Sequence, residues 1–397
     1  MDLIIKPGKL SGIINAIPSK SQAHRILICA ALADKPTEVI CPATSQDIEA
    51  TVSCLNKLGA DIQSTSEGYY VEPIRSVPDS ATLDCGESGS TLRFLLPVAG
   101  ALGVDATFIL HGRLSQRPLS PLWEEMERMG CMLTRPTDST VRCQGKLKNG
   151  EYFIDGSVSS QFISGLMFAL AIIGGGKLHV TGNVQSKPYI DQTRQVLSQF
   201  GAAFDGDLIT APLPLHSSGR ISVEGDWSNS AFFLTSAKLN NAVTVNGLCQ
   251  SSKQGDKAIT DLLERLCINC EIDVSQIPDL MPILAIAAAA LKGATFTNIQ
   301  RLRIKESDRV ASTANMLTAL GINVSIEDSE MTVYPGAFRG GVIDSCNDHR
   351  IAMCAAIAST VASGDILLKD AQCVGKSYPG FWDDFRKLGG HYEQHLR

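Results

Sequence analysis

The chain has 397 residues, 44% of them apolar, with 34 Gly and 17 Pro; that is too long for one ordinary core and predicts two globular domains of α/β or α+β character, not a fibrous or disordered chain. A net charge of −6 argues against a nucleic-acid partner, which selects for a basic excess. Twelve cysteines lack zinc or disulfide spacing (Cys267 and Cys270 form the only C-x-x-C), the first ten residues lack an apolar signal core, and the longest apolar run, 280–291, is too short to span a bilayer, so the chain is expected in the reducing cytosol.

In chain order, an apolar strand at 3–5 comes first. Ser19-Lys20-Ser21 then opens a helix over 23–33 that is apolar nearly all round, which predicts burial. A β-like run, Glu38-Val39-Ile40, follows. Ser45-Gln46-Asp47 leads to an amphipathic helix ending at Leu55-Asn56-Lys57-Leu58-Gly59, and Ala60-Asp61-Ile62 reads as a return strand. The succession then recurs. Glu87-Ser88-Gly89-Ser90 opens the apolar helix 91–102; a strand at 107–110 follows, then Gln116-Arg117-Pro118 and a helix ending at Gly130. Ser159-Ser160-Gln161 opens 162–173, and Ser186-Lys187-Pro188-Tyr189 precedes a helix ending at Gly201. Ser228-Asn229-Ser230 opens 231–239, and Gln254-Gly255-Asp256 precedes a helix ending at Cys267. Asp279 opens 280–291, and Lys305-Glu306-Ser307-Asp308-Arg309 precedes a helix ending at Gly321. Asp348-His349-Arg350 opens 351–361, and Lys376-Ser377-Tyr378-Pro379 precedes a helix ending at Gly389.

The six exposed helices end 71, 71, 66, 54 and 68 residues apart, so one unit fills the chain in near-regular copies. Gly suits the left-handed position that stops a helix, and Cys267 is the exception. Each unit reads strand, buried helix, strand, exposed helix, strands. Three units per domain put buried helices inside and sheets outside, with a boundary near Gly225-Asp226. Solenoids have shorter periods, and a plain Rossmann domain lacks this alternation of buried and exposed helices.

Polar residues cluster where the helices begin. Capping explains Ser, Asp and Asn there. It does not explain Lys20, Arg25, Arg117, Lys305, Arg309, Arg350 and Lys376, since a cation opposes the positive end of the helix dipole. Such residues need a compensating anion. The pattern predicts substrates carrying several negative charges, held between two domains that close on them. Asp279 and Glu306 are the acid–base candidates. His349 stands alone, and no ligand cluster has metal spacing. With no P-loop and no dinucleotide fingerprint, neither metal nor cofactor is expected.

These motifs resemble those of the EPSP synthases: Pro18-Ser19-Lys20-Ser21 with Arg25, Ser159-Ser160-Gln161-Phe162, Ser186-Lys187-Pro188-Tyr189, Glu224-Gly225-Asp226, Gln254-Gly255-Asp256, Ile277-Pro278-Asp279, Lys305 to Arg309, and Asn347-Asp348-His349-Arg350, in order from the first unit to the last. The resemblance implies an α/β (α+β) fold of two inverse α/β-barrel domains, each of three βαβαββ units. The domains would be 20–225, and 1–19 with 226–397, with crossovers near Lys20 and Gly225. It implies transfer of the enolpyruvyl group of phosphoenolpyruvate to the 5-hydroxyl of shikimate 3-phosphate by a monomer, with no nucleic-acid or membrane partner. By position, Lys20, Ser21, Arg25, Ser159, Ser160, Gln161, Ser186, Tyr189, Asp279 and Lys305 would bind shikimate 3-phosphate. Lys20, Gly89, Arg117, Gln161, Arg309, Arg350 and Lys376 would bind phosphoenolpyruvate. Lys20, Asp279 and Glu306 would be catalytic, Glu306 serving the carbon centre and Asp279 or Lys20 the hydroxyl. The chain departs from the family pattern at Gly86-Glu87-Ser88-Gly89-Ser90, at Phe94, and at Arg301, which stands where an Asn is usual.

Three rival readings carry less of the sequence. The UDP-N-acetylglucosamine enolpyruvyl transferases share fold and chemistry but use a Cys in the loop that here reads His111 to Arg117 without one. RNA 3′-phosphate cyclases need a reactive His and a basic surface. A non-catalytic anion-binding protein would have no use for both Asp279 and Glu306.

Overall fold

The first two strands, β1 (Asp2–Ile5) and β2 (Ser11–Asn15), pair only with strands that lie beyond residue 240. In the computed structural model, which describes residues 1–266 and 270–395, the chain therefore divides into one unit of Met1–Ile17 with Gly225–Arg397 and another of Pro18–Glu224.

The continuous unit runs α1 (Lys20–Ala31), β3 (Thr37–Ile40), α2 (Gln46–Lys57), β4 (Asp61–Thr65), β5 (Gly68–Glu72), β6 (Ser80–Asp84), α3 (Gly89–Leu102), β7 (Asp105–Ile109), α4 (Leu122–Arg128), β8 (Cys131–Thr134), β9 (Thr140–Gly145), β10 (Glu151–Asp155), α5 (Ser160–Ile172), β11 (Gly176–Thr181), α6 (Lys187–Gln199), β12 (Ala203–Asp205), β13 (Leu208–Thr210) and β14 (Arg220–Ser222). Its three sheets share one order: β6-β7-β9-β8, β10-β11-β13-β12 and β14-β3-β5-β4. In each, the first two strands are parallel and the last two form an antiparallel hairpin. That is the βαβαββ unit, with β14 returning at the end of the domain to supply the first strand of the first copy.

The discontinuous unit runs α7 (Trp227–Lys238), β15 (Ala242–Asn246), α8 (Ile259–Arg265), β16 (Cys270–Asp273), α9 (Met281–Ala290), β17 (Ala294–Thr297), α10 (Arg309–Ala319), β18 (Val324–Ile326), β19 (Glu330–Val333), β20 (Gly341–Asp344), α11 (His349–Ala358), β21 (Ile366–Lys369), α12 (Phe381–Lys387) and β22 (Tyr392–His395). Two of its sheets repeat the same order, β16-β17-β19-β18 and β20-β21-β1-β22, with β1 filling one hairpin position. The fourth copy departs from the repeat. Its sheet is only β15-β2, and among the described residues no hairpin follows α8. The short 54-residue spacing after this helix reflects the missing strands. Cys267, expected at the end of α8, lies outside the described residues.

Each unit has its own core, built on three helices buried nearly all round: α1, α3 and α5 in one, α7, α9 and α11 in the other. Full burial of each large apolar side chain contributes about 1.5–3 kcal/mol, which outweighs the weak helix propensity of segments such as Phe232-Phe233. Close helix contact needs small residues. A Cβ on Gly165 of α5 would lie 2.2 Å from the carbonyl oxygen of Arg93 on α3, so only Gly lets these backbones meet. No described helix is long and apolar enough to cross a membrane.

Candidate active site

In the continuous unit, the helix starts of α1, α3 and α5 gather polar side chains. Ser19, Ser88 and Ser159 accept backbone N–H bonds as N-caps, as capping predicts. Lys20, the first residue of α1, donates to Asp47 Oδ2 at 2.7 Å. Arg25 is buried with neutral partners: Nε donates to Thr193 Oγ1 at 2.8 Å, one Nη to the Tyr189 carbonyl at 2.9 Å and the other to the Ser21 carbonyl. It thereby ties together Ser21 and Tyr189, two of the residues expected to bind shikimate 3-phosphate. Its guanidinium lies 5.0 Å from the Phe94 ring centroid, and burial lowers its pKa to about 10. Ser186 holds a left-handed φ of 53° just ahead of α6, and its carbonyl accepts from the Tyr189 amide at 3.1 Å.

Arg93 was missed by the sequence reading. Its Nη1 donates to Gln161 Oε1 at 2.8 Å, and Gln161 Nε2 donates to Ser90 Oγ at 3.0 Å. A guanidinium can only donate, so Arg93 fixes which way the Gln161 amide faces. A Cβ on Gly89 would lie 2.7 Å from Arg117 Nη1 and 2.9 Å from Arg93 Nη1, so any larger residue there would push these two guanidinium ends aside. The signal for Arg93 was a lone charged residue on an otherwise apolar helix.

In the discontinuous unit, Arg309 is the centre of the cluster. It is the first residue of α10 and only 1% exposed. Nε donates to Asp348 Oδ2 at 2.9 Å, Nη1 to Asp279 Oδ1 at 2.6 Å and Nη2 to Glu306 Oε2 at 2.6 Å. Burial alone would lower its pKa, but Asp348, Glu306 and Asp279 outweigh burial and raise it. Arg350, the second residue of α11, donates to Asp279 Oδ2 at 3.0 Å, to the Asp279 carbonyl at 3.0 Å and to Ser228 Oγ at 2.8 Å. Burial pushes the Asp279 carboxyl up, yet Arg350, Lys305 and Arg309 together hold it well below the usual carboxylate range. Lys305 Nζ stands 3.8 Å from Asp279 Oδ1, and burial brings its pKa down to about 8. Lys376 donates to the Asn347 carbonyl at 2.7 Å, where Cys346 and Asn347 hold consecutive left-handed conformations ahead of α11.

Several placements differ from the sequence expectation. Arg117, Lys305 and Lys376 do not open helices. Each ends a short 3-10 turn, over Gly112–Gln116, Gln300–Ile304 and Ala371–Lys376, where the last carbonyls favour a cation. For Lys20, Arg309 and Arg350, the compensating anions include the protein's own Asp47, Asp279, Glu306 and Asp348. Asp279 is not a cap. It precedes Leu280, the N-cap of α9, and its oxygens go to arginines. Asp348, noted from sequence only as a polar helix start, both caps α11 and holds Arg309 and Ser307. His349 is buried at the first turn of α11. Among the described residues, no group of three or more His, Cys, Asp or Glu is placed to hold a metal ion.

The model of the family described as EPSP synthase (3-phosphoshikimate 1-carboxyvinyltransferase) matches residues 4–274 and 266–385. The chain is 38% identical over 424 aligned positions to a 3-phosphoshikimate 1-carboxyvinyltransferase of Clostridium botulinum (strain Alaska E43 / Type E3), covering 98% of each chain. It is 38% identical over 429 positions to that of Clostridium beijerinckii, covering 99% of this chain and 98% of the other. A solved EPSP synthase from Acinetobacter baumannii has the same fold, with a TM-score of 0.81 at 22% identity over 99% of this chain and all of the other.

Proposed function

Because the chain belongs to the EPSP synthase (3-phosphoshikimate 1-carboxyvinyltransferase) family, we propose that it transfers the enolpyruvyl group of phosphoenolpyruvate to the 5-hydroxyl of shikimate 3-phosphate, releasing phosphate. The observation that carries the chemistry is the cluster in which one buried guanidinium, Arg309, touches both Asp279 and Glu306. Two carboxylates beside concentrated positive charge suit proton transfer on an anionic substrate.

In this reading Glu306 delivers a proton to C3 of phosphoenolpyruvate while the 5-hydroxyl oxygen bonds to C2. The hydroxyl proton goes to Asp279 or to Lys20. The tetrahedral product then loses its C3 proton back to the Glu306 carboxylate, the C2–O bond to phosphate breaks, and the enol ether is restored. Arg309, Arg350, Lys376 and Arg117 hold the phosphoenolpyruvate anion, with Gly89 and Gln161 shaping its seat. Ser159, Ser160 and Ser186 hold the shikimate phosphate with Lys20, Ser21, Arg25 and Lys305; Gln161, Tyr189 and Asp279 meet the ring. The enzyme works as a cytosolic monomer.

The test is phosphate release by purified protein. Release should require both phosphoenolpyruvate and shikimate 3-phosphate. Equal or faster turnover with UDP-N-acetylglucosamine in place of shikimate 3-phosphate would overturn the substrate assignment.

A further inference from the structure

Three polar side chains with no part in the reaction described above lie fully buried on α1, α2 and α3, all in the continuous unit: His24, Thr51 and Thr91. They form one run of short hydrogen bonds. His24 Nδ1 lies 2.7 Å from Thr51 Oγ1, and Thr51 Oγ1 lies 2.7 Å from Thr91 Oγ1. Thr91 Oγ1 in turn lies 2.8 Å from Oγ of Ser88, the N-cap of α3.

Each hydroxyl has one proton, and that fixes the direction of the run. Thr91 Oγ1 donates to Ser88 Oγ and also reaches the Asp47 carbonyl at 3.4 Å, which can only accept. The Thr91 proton is thus committed, so Thr51 donates to Thr91. The Thr51 proton is committed in turn, so His24 donates from Nδ1. Burial, then Lys20 and Arg25, hold the imidazole well below its usual pKa, which keeps the ring neutral with its proton on Nδ1. Nε2 is then an acceptor, and among the described residues it has no hydrogen-bond partner although it is buried. An unsatisfied buried acceptor is destabilising. Packing alone would therefore favour an apolar residue of this size; what the imidazole adds is the bond from Nδ1.

That bond ends at the start of α3. Ser88 Oγ also accepts the Thr91 amide at 3.2 Å, which caps the helix, and the helix opens at Gly89. The next residue, Ser90, accepts from Gln161 Nε2 at 3.0 Å. We propose that His24 is a positioning residue for enolpyruvyl transfer, setting the first turn of α3 through Thr51, Thr91 and Ser88 so that Gly89 seats phosphoenolpyruvate. This rests on the assignment of Gly89 to phosphoenolpyruvate made above. The Ser88 arm is shorter than the Asp47 arm, so the effect falls on α3 more than on Lys20, the partner of Asp47.

The experiment is steady-state kinetics of wild type, His24→Leu, His24→Asn and Thr51→Val, with thermal melts to confirm folding and hydrogen exchange read at the Thr91 amide. His24→Leu and Thr51→Val should each raise KM for phosphoenolpyruvate about three- to tenfold, the size of one neutral hydrogen bond, with kcat and KM for shikimate 3-phosphate within about twofold of wild type. The Thr91 amide, protected by the Ser88 cap, should exchange faster in both. His24→Asn puts an amide N–H close to where Nδ1–H stood and should restore both KM and exchange. A residue that only filled space would be replaced better by Leu than by Asn, so KM nearer to wild type in His24→Leu than in His24→Asn overturns the proposal. So does wild-type KM in Thr51→Val, whether or not exchange quickens; that variant lies on a different helix and decides the matter if His24→Leu does not fold. No phosphate release by wild type with both substrates present overturns instead the assigned reaction, and the proposal with it.

Discussion

The two units are built from the same repeat, yet they treat buried arginines differently. In the discontinuous unit carboxylates take them: Arg309 meets Asp279, Glu306 and Asp348, and Arg350 meets Asp279. In the continuous unit neutral oxygens take Arg25, from Thr193, Tyr189 and Ser21, and Gln161 and the Pro118 carbonyl accept from Arg93. An arginine held by neutral oxygens keeps its positive charge unneutralised by a neighbouring carboxylate, which suits holding an anion. One held by carboxylates would, in the proposed reaction, bring groups able to exchange protons to the substrate. In the proposed reaction the same scaffold would thus place both acid–base carboxylates, Asp279 and Glu306, in one unit, beside arginines that also meet the substrate.

Removing a carboxylate from the charged cluster should have the largest effect. Asp348 is fully buried and serves Arg309, Ser307 and the α11 cap together. Asp348→Ala leaves Arg309 Nε facing a buried gap, and breaking a buried pair from one side costs about 3–5 kcal/mol. Urea unfolding should register that loss. A change under about 1 kcal/mol would mean that Arg309 is held by Asp279 and Glu306 alone, and the contrast between the units would weaken. Next in size is Glu306→Gln. Turnover should fall by at least about 10²-fold, the low end for a general acid–base group, with both KM values little changed. Near-normal kcat would remove Glu306 from the chemistry and leave the carboxylates of this unit a structural role.

The neutral side of the comparison rests on packing. Gly165→Ala would drive a Cβ into the Arg93 carbonyl, at 2.2 Å, and against Pro97 Cγ at 3.1 Å. Overpacking of this kind costs about 1–3 kcal/mol, and it should also displace Arg93 and raise KM for phosphoenolpyruvate. A stable variant with unchanged KM would show that Arg93 is not held by helix contact.

Much of this was legible in the sequence, for physical reasons. Runs such as 162–173 are too apolar to face water, so burial of α5 followed from composition. Gly59, Gly130 and Gly201 mark where helices must stop, and all three hold positive φ. The groups that carry charge partnerships were less visible. Arg117, Lys305 and Lys376 looked like helix starts because a 3-10 turn leaves no periodic signature in the residues before an amphipathic helix. Asp348 looked like a cap, which it is, but a cap side chain has two oxygens. That the second one holds an arginine 39 residues away depends on how α10 and α11 pack, and no local pattern reports that. The lost hairpin of the fourth copy showed only as a shortened spacing.

The smallest expected effect tests whether a cation in the charged cluster remains available to a ligand. Lys305 stands 3.8 Å from Asp279, beyond a close hydrogen bond, and burial is the main reason its pKa falls to about 8, with Arg301 and Arg309 adding to the fall and Asp279 opposing it. Its folded pKa lies below its unfolded value, so charging it costs stability as pH falls through about 8; a bound anion offsets that cost. If Lys305 binds shikimate 3-phosphate as its cation, affinity should be level below pH 8 and weaken above it, by up to about tenfold per pH unit, or about 1.4 kcal/mol. Lys305→Arg stays charged throughout this range and should flatten the alkaline fall, while leaving affinity near pH 7 within severalfold of wild type. Titration calorimetry of shikimate 3-phosphate binding between pH 6.5 and 9.5 measures both curves. A wild-type affinity that stays level through pH 9.5 would place Lys305 with the groups that only shape Asp279, and the proposed contacts to the shikimate phosphate would then all come from the continuous unit.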